Sequence, residues 1–164
     1  MESKKDQFTE VTKKWLKDYL ESKYSKDYLI EVIIPNGNIS KVGNDSVKKI
    51  SNYSLLDFSS DVLGILTSKK SKEVSLVLLN RSTSAISVKE IGEMNIYSNI
   101  INPILAFVVS LKGLPNEVNS LLLNDNTCKS LLSYHDKSII ILKIDETGKV
   151  DGKGTFPREF KDVF

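Results

Sequence analysis

The sequence predicts an α/β domain, a mixed central sheet with helices on its faces, in the order α-β-β-β-β-α-β-α-β. Three observations carry this. Phe8, Val11, Trp15, Leu16, Tyr19 and Leu20 recur at helical spacing near the start of the chain. Three apolar runs, residues 74–79, 103–110 and 138–144, read as buried strands. Between the first two, Ser87 and Glu90 have the spacing of a capping box that starts a helix.

Taken in order, residues 9–22 make the opening amphipathic helix, with Lys13, Lys14, Lys17 and Asp18 on its wet side. Residues 28–34 read as a strand. Asn36-Gly37 is a strong hairpin signal and predicts a return strand over 38–42. Polar residues 45–51 allow a helical turn. Residues 55–66 read as a bent or bulged strand carrying Asp57, Asp61 and Gly64. Lys69-Lys70-Ser71-Lys72 makes the next turn, and 74–79, apolar on both faces, predicts a central strand. The capped helix spans 88–100 and buries Ile91, Met94, Tyr97 and, less cleanly, Ile96. After strand 103–110, Pro115 opens a helix to about residue 123, and 138–144 is the last strand. Residues 1–145 therefore form the expected domain. Residues 146–164 read as a polar tail whose Phe156, Phe160, Val163 and Phe164 either fold back over a sheet edge, the preferred reading, or dock on a partner or second copy.

Composition sets limits. A chain of 164 residues with 40% apolar and 27% charged residues is one domain of ordinary size. The single cysteine, Cys128, rules out an internal disulfide and a multi-cysteine zinc site. The single histidine, His135, rules out a poly-histidine site and reads as a surface turn residue. Net charge of +2 does not by itself point to nucleic acid. The apolar stretch 100–111 is broken by Asn102 and Pro103, so no membrane span is expected. The charged start, Met1-Glu-Ser-Lys-Lys-Asp, leads into no apolar signal region, and the expected compartment is the cytoplasm.

The element order, with an acid before an apolar-Gly step in Ser60-Asp61-Val62-Leu63-Gly64, resembles the PD-(D/E)XK or restriction-endonuclease-like nuclease superfamily. The likeness covers residues 8–114 and is nearest to the archaeal resolvase and RecB-like branches. It implies a glutamate on the opening helix, and Glu10 stands near that place. It implies a first catalytic aspartate at Asp61. It implies Glu-x-Lys on the next strand, often followed by Arg-Ser. Alignment on Arg81-Ser82 puts Leu78 at the glutamate and Asn80 at the lysine. The next helix of this branch often carries Gln-x-x-x-Tyr, matched in spacing by Glu93 and Tyr97.

The departures bear on chemistry. Such nucleases hold Mg²⁺ on carboxylates from adjacent strands, and the metal lowers the pKa of the attacking water. Leu78 offers no ligand and Asn80 no positive charge. Asp61 with Glu10 makes a thin metal site. The leading reading is therefore a non-catalytic nuclease-fold protein, with no cofactor, that binds nucleic acid (DNA before RNA) or a protein partner, a homodimer being among the partner options. The alternative is a divergent Mg²⁺- or Mn²⁺-dependent deoxyribonuclease with its groups moved to the helix of Lys89, Glu90 and Glu93, near Tyr97. The bland account of Glu90 is the capping box, and of Lys89 with Glu93 a solvated i, i+4 pair. Arg81 reads as a phosphate contact or an ion-pair partner for Asp61. Lys69, Lys70 and Lys72 read either as phosphate contacts beside the cleft or as a solvated hairpin tip.

Overall fold

The computed structural model of the protein describes residues 4–164, so the segment Met1 to Ser3 lies outside the described residues. Helix α1 (Lys4–Tyr24) is longer at both ends than the apolar periodicity marks. Strand β1 (Tyr28–Ile33) follows, then β2 (Val62–Ser68) and β3 (Val74–Ser82), with β1 and β3 both antiparallel to β2. Helix α2 (Val88–Ile101) crosses over to β4 (Leu105–Ser110), parallel to β3. Helices α3 (Asn116–Asn124) and α4 (Asn126–Ser130) and the short β5 (Ser133–Tyr134) lead to β6 (Lys137–Ile144), parallel to β4. Strand β7 (Val150–Phe156) closes the sheet antiparallel to β6. The result is one mixed sheet of seven strands in the order β1-β2-β3-β4-β6, with β5 and β7 both paired to β6.

The alternation of side chains along the strands divides the core in two. Leu63, Ile65, Leu76, Leu78, Ala106, Val108, Ile139 and Ile141 face α2, α3 and the 39–58 segment. Val62, Leu66, Val77, Leu79, Phe107, Val109, Ile140 and Leu142 face α1. Central strands flanked on both faces have no polar side to show, which is why 76–79 reads as continuously apolar. At Gly64 helix α1 comes close. A Cβ there would stand 3.0 Å from both Leu20 Cδ1 and Val77 Cβ. Gly64→Val should cost about 2–3 kcal/mol by overpacking, measurable as a fall in the urea midpoint at unchanged m.

Four expectations need correction. Asn36-Gly37 does turn, with Gly37 at φ 95°, but residues 38–42 form no return strand. Instead β1 takes the edge of β2, and the 38–58 segment is laid on the sheet by Ile39 N–H to Phe58 O (2.9 Å) and Ser40 N–H to Leu56 O (3.1 Å). Ile39, Val47, Leu56 and Phe58, irregularly spaced, are its buried anchors. Long-range pairing with a fully buried strand wins over the local hairpin. The strand expected over 55–66 begins only at Val62, and Leu55 and Asp57 are exposed. Pro115 is the residue before α3 rather than its first residue. Ile96 points outward, 58% exposed.

The segment read as a polar tail supplies β7 instead, and its aromatic residues pack against the same chain. Phe156 is buried beside β6, and Phe164 lies 5.0 Å from Tyr19 and 5.6 Å from Phe107 between ring centroids. Burial pushes the Tyr19 hydroxyl up to about 12, with the neighbouring Tyr24 adding to it. No helix among the described residues is long and apolar enough to cross a membrane.

Candidate functional site

The candidate site is the junction where β2 starts and β3 ends. Register pairs Val62 with Leu79 and Leu63 with Leu78, which carries Asp61 opposite Asn80. The junction is stitched by side chains. Ser60 Oγ reaches the carbonyls of Val62 (2.8 Å) and Leu79 (3.1 Å) and accepts the Leu79 N–H (3.2 Å). The Asp61 N–H donates to Asn80 Oδ1 at 3.3 Å. Asp61 Oδ2 accepts the Arg81 N–H at 2.8 Å. One carboxylate oxygen is thus held by the backbone of the neighbouring strand, a charge-assisted bond that fixes the strand end.

Leu78 sits one pair along, 1% exposed, with Leu63 and Ala106 at its sides and Ile91 and Met94 of α2 in the same cluster. Arg81 is on the opposite parity to Leu78 and Asn80, so its side chain leaves by the other face. Its Nε donates to Thr9 Oγ1 of α1 at 2.7 Å. Arg81 therefore meets Asp61 through its backbone amide, and its guanidinium ties β3 to α1. Of the two readings of Arg81, the ion pair with Asp61 is overturned by this alternation.

The other candidates are scattered. Glu10 is exposed on α1, while Thr9 beside it takes the inward position. Glu90 accepts the Ser87 N–H (2.7 Å) and Ser87 Oγ–H (2.9 Å), completing the capping box. Lys89 and Glu93 pair at 3.8 Å in solvent, the lysine side chain 83% exposed. Tyr97 stacks on Phe58 at 4.0 Å with the rings 4° from parallel. Among the described residues no group of three or more His, Cys, Asp or Glu side chains comes together as a metal-holding set.

The lysine turn does not lie beside Asp61. It joins the other ends of β2 and β3, and the seven residues of β2 put it roughly 20 Å away at about 3.3 Å per residue. Lys69 donates to Ser25 O at 2.7 Å, closing the C-terminal end of α1, where a cation is favoured. Lys70 and Lys72 are exposed, Lys72 at φ 65°. Asp57 accepts the Asn38 amide in the 38–58 segment. His135 is at the tip of the β5–β6 turn with φ 48°, its Nε2 3.2 Å from Asn99 O. Cys128 is half-buried on α4.

Two residues that hold the junction, Ser60 and Thr9, carry no sequence signal, since a lone serine or threonine in an apolar pattern is uninformative. Compared with protein-family models and with curated proteins, the chain matches none.

Proposed function

We propose that the chain is a non-catalytic domain of the PD-(D/E)XK, restriction-endonuclease-like fold that binds nucleic acid, DNA before RNA, or a protein partner. One observation carries the reading. The register that sets Asp61 across from Asn80 puts Leu78 on the same face, which is the arrangement expected if these are the family's Asp and Glu-x-Lys positions with only the aspartate kept. The order α1-β1-β2-β3-α2-β4 supports the fold assignment, without the strand expected at 38–42.

The chemistry follows from these side chains. Hydrolysis of a phosphodiester needs a hard-cation site of several oxygens and a group that favours hydroxide. At this junction one Asp61 oxygen is engaged by the Arg81 amide, Leu78 supplies no ligand, and the neighbouring cation, Arg81, is turned to Thr9. The relocated arrangement gains nothing from α2, where Glu90 is engaged in the cap and Lys89 and Glu93 pair with each other in water.

Calorimetric titration with Mn²⁺ and Mg²⁺, beside a cleavage assay on duplex, single-stranded and branched DNA, tests this. The expected result is no metal binding that Asp61→Ala removes and no cleavage, with retention on DNA falling steeply as salt rises. Metal-dependent cleavage abolished by Asp61→Ala would sink the proposal. Uncut DNA that is also not retained at low salt would leave the protein partner.

A further inference from the structure

Helix α2 carries an apolar surface that nothing else in the described chain covers. Its inward residues are Ile91, Met94 and Ser98. Turned the other way, at four-residue spacing, stand Val88, Gly92, Ile96 and Ile100. Val88 is 38%, Ile96 58% and Ile100 60% exposed. A surface helix ordinarily presents polar residues on that side, and a helix apolar all round is normally covered on both. Glycine in mid-helix disfavours the helix relative to alanine. Nothing inside the chain asks for it, because a Cβ at Gly92 would meet no atom within 4 Å.

We propose that this face is where two copies of the chain dimerise, α2 crossing α2 antiparallel about a two-fold axis at Gly92. The occupant is a second copy because the face is complementary to itself about that point. The axis sets Gly92 against Gly92 and lets the two backbones approach closely. It also sets Val88 of each copy against Ile96 of the other. On one flank Lys89 of each copy comes alongside Glu93 of the other, so a pair that is only a 3.8 Å solvent-exposed contact within one chain gains a partner of opposite charge across the axis. Residues at i±4n form a ridge, and two such ridges interdigitate at a crossing of about −50°. A self-matching patch is what a two-fold interface requires. The inference does not rest on the nuclease-fold reading and survives its failure.

Sedimentation velocity over a concentration series is the test. A single helix crossing belongs to the small interfaces, below about 1,200 Å², so a reversible, concentration-dependent dimer is expected. Ile96→Glu and Gly92→Leu should each weaken it by about tenfold or more, as central interface positions do. Gly92→Leu should leave or raise the melting temperature of the monomer, since a Cβ there meets no atom within 4 Å and leucine favours the helix over glycine. Lys89→Glu should weaken the dimer, and adding Glu93→Lys should restore it. Circular dichroism on each variant separates lost association from lost folding. A monomer at every concentration, with some other protein then left to cover the face, overturns the proposal. So does a dimer that either Ile96→Glu or Gly92→Leu leaves unchanged.

Discussion

Replacing Leu78 by glutamate is expected to abolish folding near neutral pH rather than to rebuild a nuclease site. The position is 1% exposed and lies in the cluster with Leu63, Ala106, Ile91 and Met94. Losing the leucine alone, as in Leu78→Ala, should cost about 2–5 kcal/mol. A carboxylate there finds no partner of opposite charge, because Arg81 leaves by the other face to Thr9. Burial raises such a group by up to ~3–5 pKa units, and each unit is ~1.4 kcal/mol. At pH 7 the ~2.7 units above the unfolded value add about 4 kcal/mol, and the sum of about 6–9 kcal/mol lies within the ~5–15 kcal/mol that holds a domain together. The pH dependence has a definite sign. A folded-state pKa raised above the unfolded value of about 4.3 gives a contribution fully present below that value and lost as pH rises through the folded pKa. Relative to wild type, Leu78→Glu should therefore be least damaged near pH 4 and worsen by ~1.4 kcal/mol per unit above it. Leu78→Gln, of the same shape, should show no such slope. Urea denaturation at several pH values measures both. A Leu78→Glu variant as stable as wild type at pH 7, above all one that binds Mn²⁺ beside Asp61, would mean that position 78 opens onto a cleft.

The contrast between Leu78 and its neighbours shows what the sequence could and could not reveal. Elements fixed by local chemistry were legible. The capping box at Ser87 and Glu90 starts α2 where the spacing places it, and both partners make their bonds. The apolar runs of β3, β4 and β6 are buried on both faces, so their composition alone marks them. What failed depended on partners far along the chain. Residues 38–42 carry a good hairpin signal, yet β1 pairs with β2, 30 to 40 positions on, whose first five residues are buried. The Arg81 side chain could be placed only once the parity of β3 was known, since a one-residue change of register sends it to the other face. Lys69 reads as a phosphate contact or a solvated hairpin-tip cation, while its bond to Ser25 O depends on α1 ending beside the β2–β3 turn. Val150 to Phe156, with Gly152 and Gly154 among polar residues, has the composition of a linker. The same glycines are what an edge strand lying close on its neighbours uses, for a Cβ at Gly152 would stand 2.8 Å from Lys161 O and one at Gly154 2.6 Å from Lys143 Cβ.

Removing residues 146–164 should leave a chain that does not fold cooperatively. That cut strips β7 from β6 along Val150 to Phe156 and takes away buried Phe156 and the partly buried Phe160 and Phe164. It also unpairs the backbone of β6 on one side, where Ile141, Leu142 and Ile144 would meet water on a strand edge. A fully buried phenylalanine is worth about 3–5 kcal/mol by replacement with alanine, so Phe156 together with the two partly buried rings amounts to a large share of the ~5–15 kcal/mol that holds a whole domain. A single substitution gives the graded version. Phe164 is half-buried and packs within 5.0 Å of Tyr19, 5.6 Å of Phe107 and 6.1 Å of Trp15 between ring centroids. Phe164→Ala should cost about 2 kcal/mol, less than a fully buried ring would. Trp15, the chain's one tryptophan, reports it directly. Its emission should shift to longer wavelength as the ring beside it is replaced by water, before any unfolding. Residues 1–145 melting as sharply and as high as the full chain would place 146–164 outside the cooperative unit. An unshifted Trp15 emission in Phe164→Ala would say the same of the aromatic contact, so the two measurements locate the error separately.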